Sequence, residues 1–158
     1  MKNLKLILIR RFQKAEKHFE ALTDYKNSID QILTSKNIFA VDIFNNLSVT
    51  EKALLDAYLK RFSSLQDFLG AKIFPLVFEL AGFPSTKMSE VISNAEKEGI
   101  IDSISDWIEL RQIRNELEHE YPDELVEALN DLEFCVNSYS KISKYFQNVK
   151  NYSEKLLK

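Results

Sequence analysis

The residues from Arg114 to Tyr121 bring a guanidinium, a carboxamide, an imidazole and a phenol together within eight positions. Arg114 and Asn115 are adjacent, His119 follows Arg114 after a gap of four residues, and Tyr121 follows His119 after a gap of one. A guanidinium binds phosphate oxygens, and an imidazole exchanges protons near neutral pH. The segment therefore has the residue types for acid–base chemistry on a phosphodiester. His119 is one of only two histidines in the chain.

A helix must position this segment, and it is predicted to begin near Ser103 or Ser105. Apolar residues recur along it at helical steps and define one arc of its surface: Trp107, Leu110, Ile113 and Leu117. Pro122 disfavours helical geometry at the residue before it, so the helix is expected to end near His119–Tyr121.

Arg114 falls inside that apolar arc, where a charge is costly unless it is paired or faces a groove or interface. At 100° per residue, His119 lies about 140° round the helix from Arg114. One regular helix therefore cannot easily direct both groups at one phosphate. Either the last turn unwinds near Pro122, or the site combines residues from two chains.

The rest of the chain also predicts helices, because it has only 3 Gly and 3 Pro and long apolar repeats at steps of three and four. Pro75 predicts a break near 73–75, and 37–47 is expected to be a loop or a short turn. A length of 158 residues fits a single domain over 1–158, built as an antiparallel bundle of four or five helices. The other predicted helices cover about 4–33, 50–80, 86–98 and 122–149.

Charge and cysteine content limit the partners and the compartment. The formal net charge is −3, without the basic excess of proteins that coat nucleic acid, so any RNA contact is expected to be small and local. Arg111, one turn before Arg114, is the best candidate for a second phosphate contact. The basic residues Arg10, Arg11, Lys14 and Lys17 alternate in sequence with Glu16 and Glu20, which favours a solvated helix face. Cys135 is the only cysteine and no secretion signal is evident, which fits a cytoplasmic protein.

Structural roles explain some of these residues equally well. Arg114 and Glu118 are spaced as an ordinary i,i+4 ion pair, and His119 can cap the end of its helix. The acidic run around Glu116 and Asp123 is more typical of a solvated face than of a metal site. No metal ion and no cofactor are predicted.

The combination Arg114-Asn115-x-x-x-His119-x-Tyr121, near the end of a helix in an all-α chain, resembles the HEPN superfamily. Within it, the closest resemblance is to HepT-like ribonuclease toxins of HepT/MntA-type toxin–antitoxin systems. All four motif positions are kept, whereas Leu117-Glu118 departs from the apolar or small residue usual before the histidine. The long outer helices also exceed those of a minimal member.

This resemblance implies a metal-independent endoribonuclease that acts as a homodimer with both motifs in a cleft across the interface. It implies His119 as general acid or base, Arg114 as stabiliser of phosphate charge, and Asn115 as a supporting residue. Tyr121 is then the position that a partner nucleotidyltransferase antitoxin of the MNT type modifies with AMP. The departures leave open an alternative, in which the chain is a non-catalytic HEPN partner of a nucleotidyltransferase. A purely structural helical protein is the third hypothesis.

Overall fold

The protein is all-α throughout the residues that a computed structural model describes, which are the backbone of 2–119 and 124–158 and the side chains of 3–118 and 124–158. No strand occurs in these ranges, and the predicted fold class is confirmed at this level. A π-helix, Leu69–Ile73, separates α3 from α4, and a 3-10 turn, Glu154–Leu156, follows α8. The helices are α1 (Lys2–Leu33), α2 (Val41–Asn45), α3 (Val49–Phe68), α4 (Phe74–Ala81), α5 (Met88–Lys97), α6 (Ile104–His119), α7 (Leu125–Asn137) and α8 (Tyr139–Ser153).

The long helix α1 is held by one line of buried residues at seven-residue spacing. Leu8, Ala15, Leu22 and Ile29 are all fully buried. This spacing keeps one seam facing the core, and partly buried residues such as Phe12 and Phe19 pack beside it. Helix α1 packs along α3 more extensively than along any other helix. The outer side of α1 carries charged residues.

Helix α3 begins where the sequence predicts, and the predicted segment 50–80 is interrupted before Pro75. Ser48 and Glu51 form a reciprocal capping box, in which each side chain accepts from the other residue's backbone N–H. At the far end, Pro75 has no N–H to donate to the carbonyl one turn earlier, and the chain widens into the π-helix just before it. The predicted break near 73–75 is therefore confirmed. Gly70 lies in this π-helix directly against Trp107, where an added Cβ would be 3.0 Å from the indole ring.

The prediction of one continuous helix over 122–149 is wrong where it can be compared, because α7 and α8 are separate helices. The break is at Ser138, whose φ of −83° and ψ of 1° lie outside the α-helical region. The Phe134 carbonyl accepts from both the Ser138 hydroxyl at 2.7 Å and the Ser138 N–H at 3.0 Å, so the last turn of α7 is closed at this residue. Helices α2 and α5 match the predicted short turn and short helix within a few residues.

Candidate active site

Helix α6 is fixed at its start and in its middle by contacts with other elements. The Ser103 hydroxyl accepts from the Asp106 N–H at 3.0 Å, and the Glu96 carboxylate accepts from the Ile104 N–H at 2.8 Å. A hydrogen bond from Lys141 lowers the pKa of the Asp106 carboxyl. Trp107 is buried against the π-helix. These contacts set the rotation of α6 and therefore the direction of the residues that follow.

Arg114 is almost completely buried, with 2% of its surface exposed. Its Nε donates to Gln66 Oε1 at 2.8 Å, and its Nη2 donates to Asp67 Oδ1. Its Nη1 donates to Asn115 Oδ1 at 3.2 Å and lies 3.7 Å from Glu118 Oε1. The guanidinium in the apolar arc is thus paired within its own chain. Of the two arrangements that make a buried charge tolerable, pairing or exposure to a groove or interface, Arg114 shows pairing.

The side chains that pair with Arg114 form further hydrogen bonds of their own. Gln66 is 1% exposed and donates its amide to the Trp107 carbonyl at 3.1 Å. The Ser63 hydroxyl donates to Glu118, which also lies one helical turn after Arg114. A planar guanidinium with partners at each nitrogen has little freedom to rotate. Helices α3 and α6 are therefore joined by a rigid polar network in an otherwise apolar contact.

The charge balance of this network is negative. Two carboxylates, Asp67 and Glu118, face the single guanidinium of Arg114, and all three guanidinium nitrogens have protein partners. The Asp67 side chain is 62% exposed, whereas that of Glu118 is 26% exposed. A phosphate that approaches Arg114 from solvent would meet Asp67 first and would have to displace it.

The structure brings together two of the predicted site residues. Arg114 and Asn115 are in hydrogen-bond contact, and the predicted i,i+4 pairing of Arg114 with Glu118 is present. Arg111 is exposed on α6 one turn earlier. His119 is the last residue of α6 that the structure describes, and its side chain lies outside the described residues. Tyr121 also lies outside them, so its predicted role stays a prediction.

Sequence reasoning missed the partners of Arg114 on α3. Ser63, Gln66 and Asp67 sit beside the buried Phe62 and Leu65, and two of the three polar residues are buried. A signal was present, because Ser63 and Gln66 are three apart and interrupt an apolar stripe. Two polar residues at that spacing on a core-facing helix indicate a buried polar partner on a neighbouring helix.

Cys135 is buried behind this network. Burial, reinforced by the nearby Asp131 carboxylate, raises the pKa of the Cys135 thiol to about 12. The thiol is therefore protonated at neutral pH and unsuited to nucleophilic chemistry. Cys135 is therefore a packing residue of the core.

His18 is half-buried between α1 and α3. Arg61 donates to its Nδ1 at 3.0 Å, and since arginine has no acceptor, this nitrogen must be unprotonated. Burial, followed by the positive charges of Arg61 and Lys14, lowers the pKa of His18 below its usual 6.5.

This lowered pKa predicts a loss of stability in mild acid. Below the usual histidine pKa, the unfolded state takes up a proton that folded His18 resists, so the free energy of unfolding falls as pH decreases. We expect urea denaturation between about pH 7.5 and about pH 5.5 to show a smaller decrease for His18→Gln than for the wild type. Equal pH dependence in the two proteins would contradict the described environment of His18.

No protein-family model, curated protein or solved structure shows a significant match to this chain. Within the described ranges, no helix is both long enough and apolar enough to cross a membrane.

Proposed function

We propose that the chain is a metal-independent endoribonuclease of the HEPN superfamily, a HepT-like toxin that acts in the cytoplasm. The observation that carries this proposal is the buried Arg114, held against Asn115 on the helix that also contains His119. Burying a guanidinium is costly unless it is paired, and the buried, paired arginine of this chain is the first residue of the motif. The all-α fold is compatible with the same class.

The proposed reaction is an internal transfer at phosphorus that needs no water and no metal. The RNA 2′-OH attacks the adjacent phosphorus, the bond to the 5′ oxygen breaks, and the products are a 2′,3′-cyclic phosphate and a 5′-OH. His119 serves as general base for the 2′-OH proton or as general acid for the leaving oxygen. Arg114 stabilises the added charge on the phosphate oxygens, with Asn115 in support and Arg111 as a second phosphate contact.

The proposed assembly is a homodimer of antiparallel helical bundles, with one motif from each chain facing a shared cleft. The support is geometric, because α6 is helical through His119 and successive residues of a regular helix diverge by 100°. A second chain supplies the histidine that the first cannot direct at its own arginine. Neutralisation by an MNT-type nucleotidyltransferase antitoxin, with AMP added to Tyr121, completes the proposal as a toxin–antitoxin pair.

The test of the reaction type is cleavage of total RNA by the purified protein in EDTA, with analysis of the fragment ends. Mass spectrometry first establishes that Tyr121 carries no AMP. Fragments with cyclic phosphate and 5′-OH ends support the proposal. Cleavage that disappears in EDTA, or fragments with 5′-phosphate ends, would contradict it.

The position of Asp67 gives a second, sharper prediction. Because Asp67 occupies Nη2 of Arg114 and is the exposed partner, it competes with a substrate phosphate for that donor. Asp67→Ala is expected to lower KM for a short RNA roughly fivefold, the equivalent of about 1 kcal/mol. The matched control is Asp56→Ala, which removes an exposed carboxylate elsewhere on α3. A KM that rises in Asp67→Ala but not in Asp56→Ala would show that Asp67 positions Arg114 instead.

One observation favours a second candidate, the non-catalytic HEPN partner of a nucleotidyltransferase. The guanidinium nitrogens of Arg114 already have protein partners, as expected of a residue that only joins α3 to α6. Tight association with a nucleotidyltransferase, combined with no RNA cleavage by folded, unmodified protein, would select this candidate.

A further inference from the structure

The basic residues near the start of α1 lie on one side of that helix. Arg10 and Lys14 are exposed and fall about 40° apart, and Arg11 falls roughly 60° beyond Lys14 toward α3. Glu16 and Glu20, which alternate with basic residues in the sequence, fall about 160° and about 120° away from Lys14. Arg10 and Lys14 are thus solvated, as the sequence predicts, but they lie apart from Glu16 around the helix.

Contacts with neighbouring helices confirm this separation of charge. Glu16 faces α8, where Lys150 is bound to it at 3.2 Å. On the other side, the Lys14 ammonium lies 5.4 Å from the centre of the Phe68 ring at the end of α3. The Arg11 guanidinium donates at 2.7 Å to the carbonyl of Lys72 in the π-helix. On one side of α1, a lysine of α8 neutralises the negative charge of Glu16. On the other side, Lys72 of the π-helix adds to the positive charge of Arg11 and Lys14.

Together these residues form a continuous feature, which we call the basic surface and define as Arg10, Arg11, Lys14, Phe68 and Lys72. They line an open groove of about 300 Å³ whose remaining lining residue is Ile7. Arg10, Lys14 and Lys72 are exposed, while Arg11 and Phe68 are half-buried. The groove thus combines four cations with one aromatic ring. This is a local excess of positive charge that the net charge of −3 for the whole chain does not reveal.

We propose that the basic surface binds single-stranded nucleic acid, with phosphates along α1 and a base against Phe68. Proteins that bind single strands without sequence preference combine a positive groove with an aromatic platform, and this surface has both. Arg10 and Lys14 are one helical step of four residues apart, about 6 Å along the axis. An anionic membrane surface would also meet the cations but has no base to stack on Phe68.

The basic surface is adjacent in sequence and structure to the network around Arg114. Phe68 directly follows Asp67, which binds the Arg114 guanidinium. Phe68 and Asp67 lie about 100° apart around α3, so a strand bound over Phe68 would continue round the helix to reach the exposed carboxylate beside Arg114. This inference deepens the proposed ribonuclease function, but binding to the basic surface does not depend on cleavage and is tested separately from it.

The test is fluorescence anisotropy with labelled single-stranded oligouridylate of about 20 nucleotides, in EDTA and at about 50 mM salt. All proteins carry His119→Ala, so binding is measured without turnover. Arg10→Glu/Lys14→Glu is expected to bind at least about tenfold more weakly than its parent, with a shallower dependence of log Kd on log salt concentration. Phe68→Leu keeps the apolar contact with the core and is expected to weaken binding by several-fold, with an unchanged salt dependence.

The matched control is Lys87→Glu/Lys97→Glu, which makes the same change in net charge at two exposed positions near α5. Circular dichroism establishes that each variant is folded. The proposal is overturned if the parent does not bind the oligonucleotide, or if the control loses as much affinity as Arg10→Glu/Lys14→Glu. Binding to vesicles of anionic lipid in preference to oligouridylate would overturn it in favour of a membrane surface. Equal binding of oligothymidylate and oligouridylate would support the proposal, because single-stranded DNA offers the same phosphates and stacking bases as single-stranded RNA.

Discussion

Arg114→Met is expected to lower the free energy of unfolding by about 3 kcal/mol in urea denaturation, with the helical fold retained. The substitution keeps much of the side-chain volume but removes every donor of the guanidinium. Gln66, which is 1% exposed, then keeps an acceptor with no donor, and Glu118 keeps a half-buried negative charge without its cation. Asp67 loses least, because its side chain is 62% exposed and water can replace Arg114.

The ranking of three variants tests this account better than any single value. Gln66→Leu leaves the buried Nε of Arg114 without a partner and removes the side-chain donor to the Trp107 carbonyl, and is expected to cost about 2 kcal/mol. Asp67→Asn is expected to cost about 1 kcal/mol or less, since it changes the exposed end of the network. A loss at Asp67 as large as that at Arg114 would contradict the described burial.

This stability effect changes how the motif must be tested for catalysis. Arg114 joins α3 to α6, so a loss of RNA cleavage in Arg114→Met has two explanations, a lost catalytic charge and a loosened fold. Arg114→Lys separates these explanations only partly. Lysine keeps the positive charge, but its single ammonium cannot donate to Gln66, Asp67 and Asn115 at once as the three guanidinium nitrogens do. Substitution of His119 is a clearer test of catalysis, because it does not remove the contacts that Arg114 makes between α3 and α6.

Local sequence rules explain several of the helix boundaries. The Ser48–Glu51 capping box, Pro75 and the positive φ of Gly99 after α5 are set by a few neighbouring residues, and each is visible in the sequence. The break at Ser138 was not predicted, because no Gly or Pro marks it and the apolar repeat continues from α7 into α8.

The candidate site was predictable in kind but not in detail. The position of Arg114 in an apolar arc required a partner, a groove or an interface, and the structure supplies partners from α3. Which residues these are depends on how α3 and α6 pack, and one sequence does not contain that information. The separation of Glu16 from Lys14 was available from helical geometry, but it becomes significant only with α8 on one side and Phe68 on the other.

His119→Gln is expected to lower kcat for RNA cleavage by roughly 10²- to 10⁴-fold, the usual contribution of one general acid or base. Glutamine retains size and hydrogen bonding but cannot exchange a proton near neutral pH. The matched control is His18→Gln, which changes the only other histidine, on α1, and is expected to keep kcat within about twofold at pH 7.5. Working at that pH also avoids the acid-dependent stability change expected at His18.

The pair of histidine variants separates the proposed functions because both proteins are expected to stay folded. Loss of cleavage in His119→Gln alone assigns the proton transfer to the motif, and mixing His119→Gln with Arg114→Lys chains then tests the shared cleft. If each site takes its arginine from one chain and its histidine from the other, a mixed dimer contains one fully substituted site and one intact site. Recovery of part of the wild-type rate on mixing is therefore expected, and no recovery in a verified mixed dimer would place both groups in one chain. Equal cleavage by wild type and His119→Gln would contradict the catalytic role of His119 and with it the proposed mechanism.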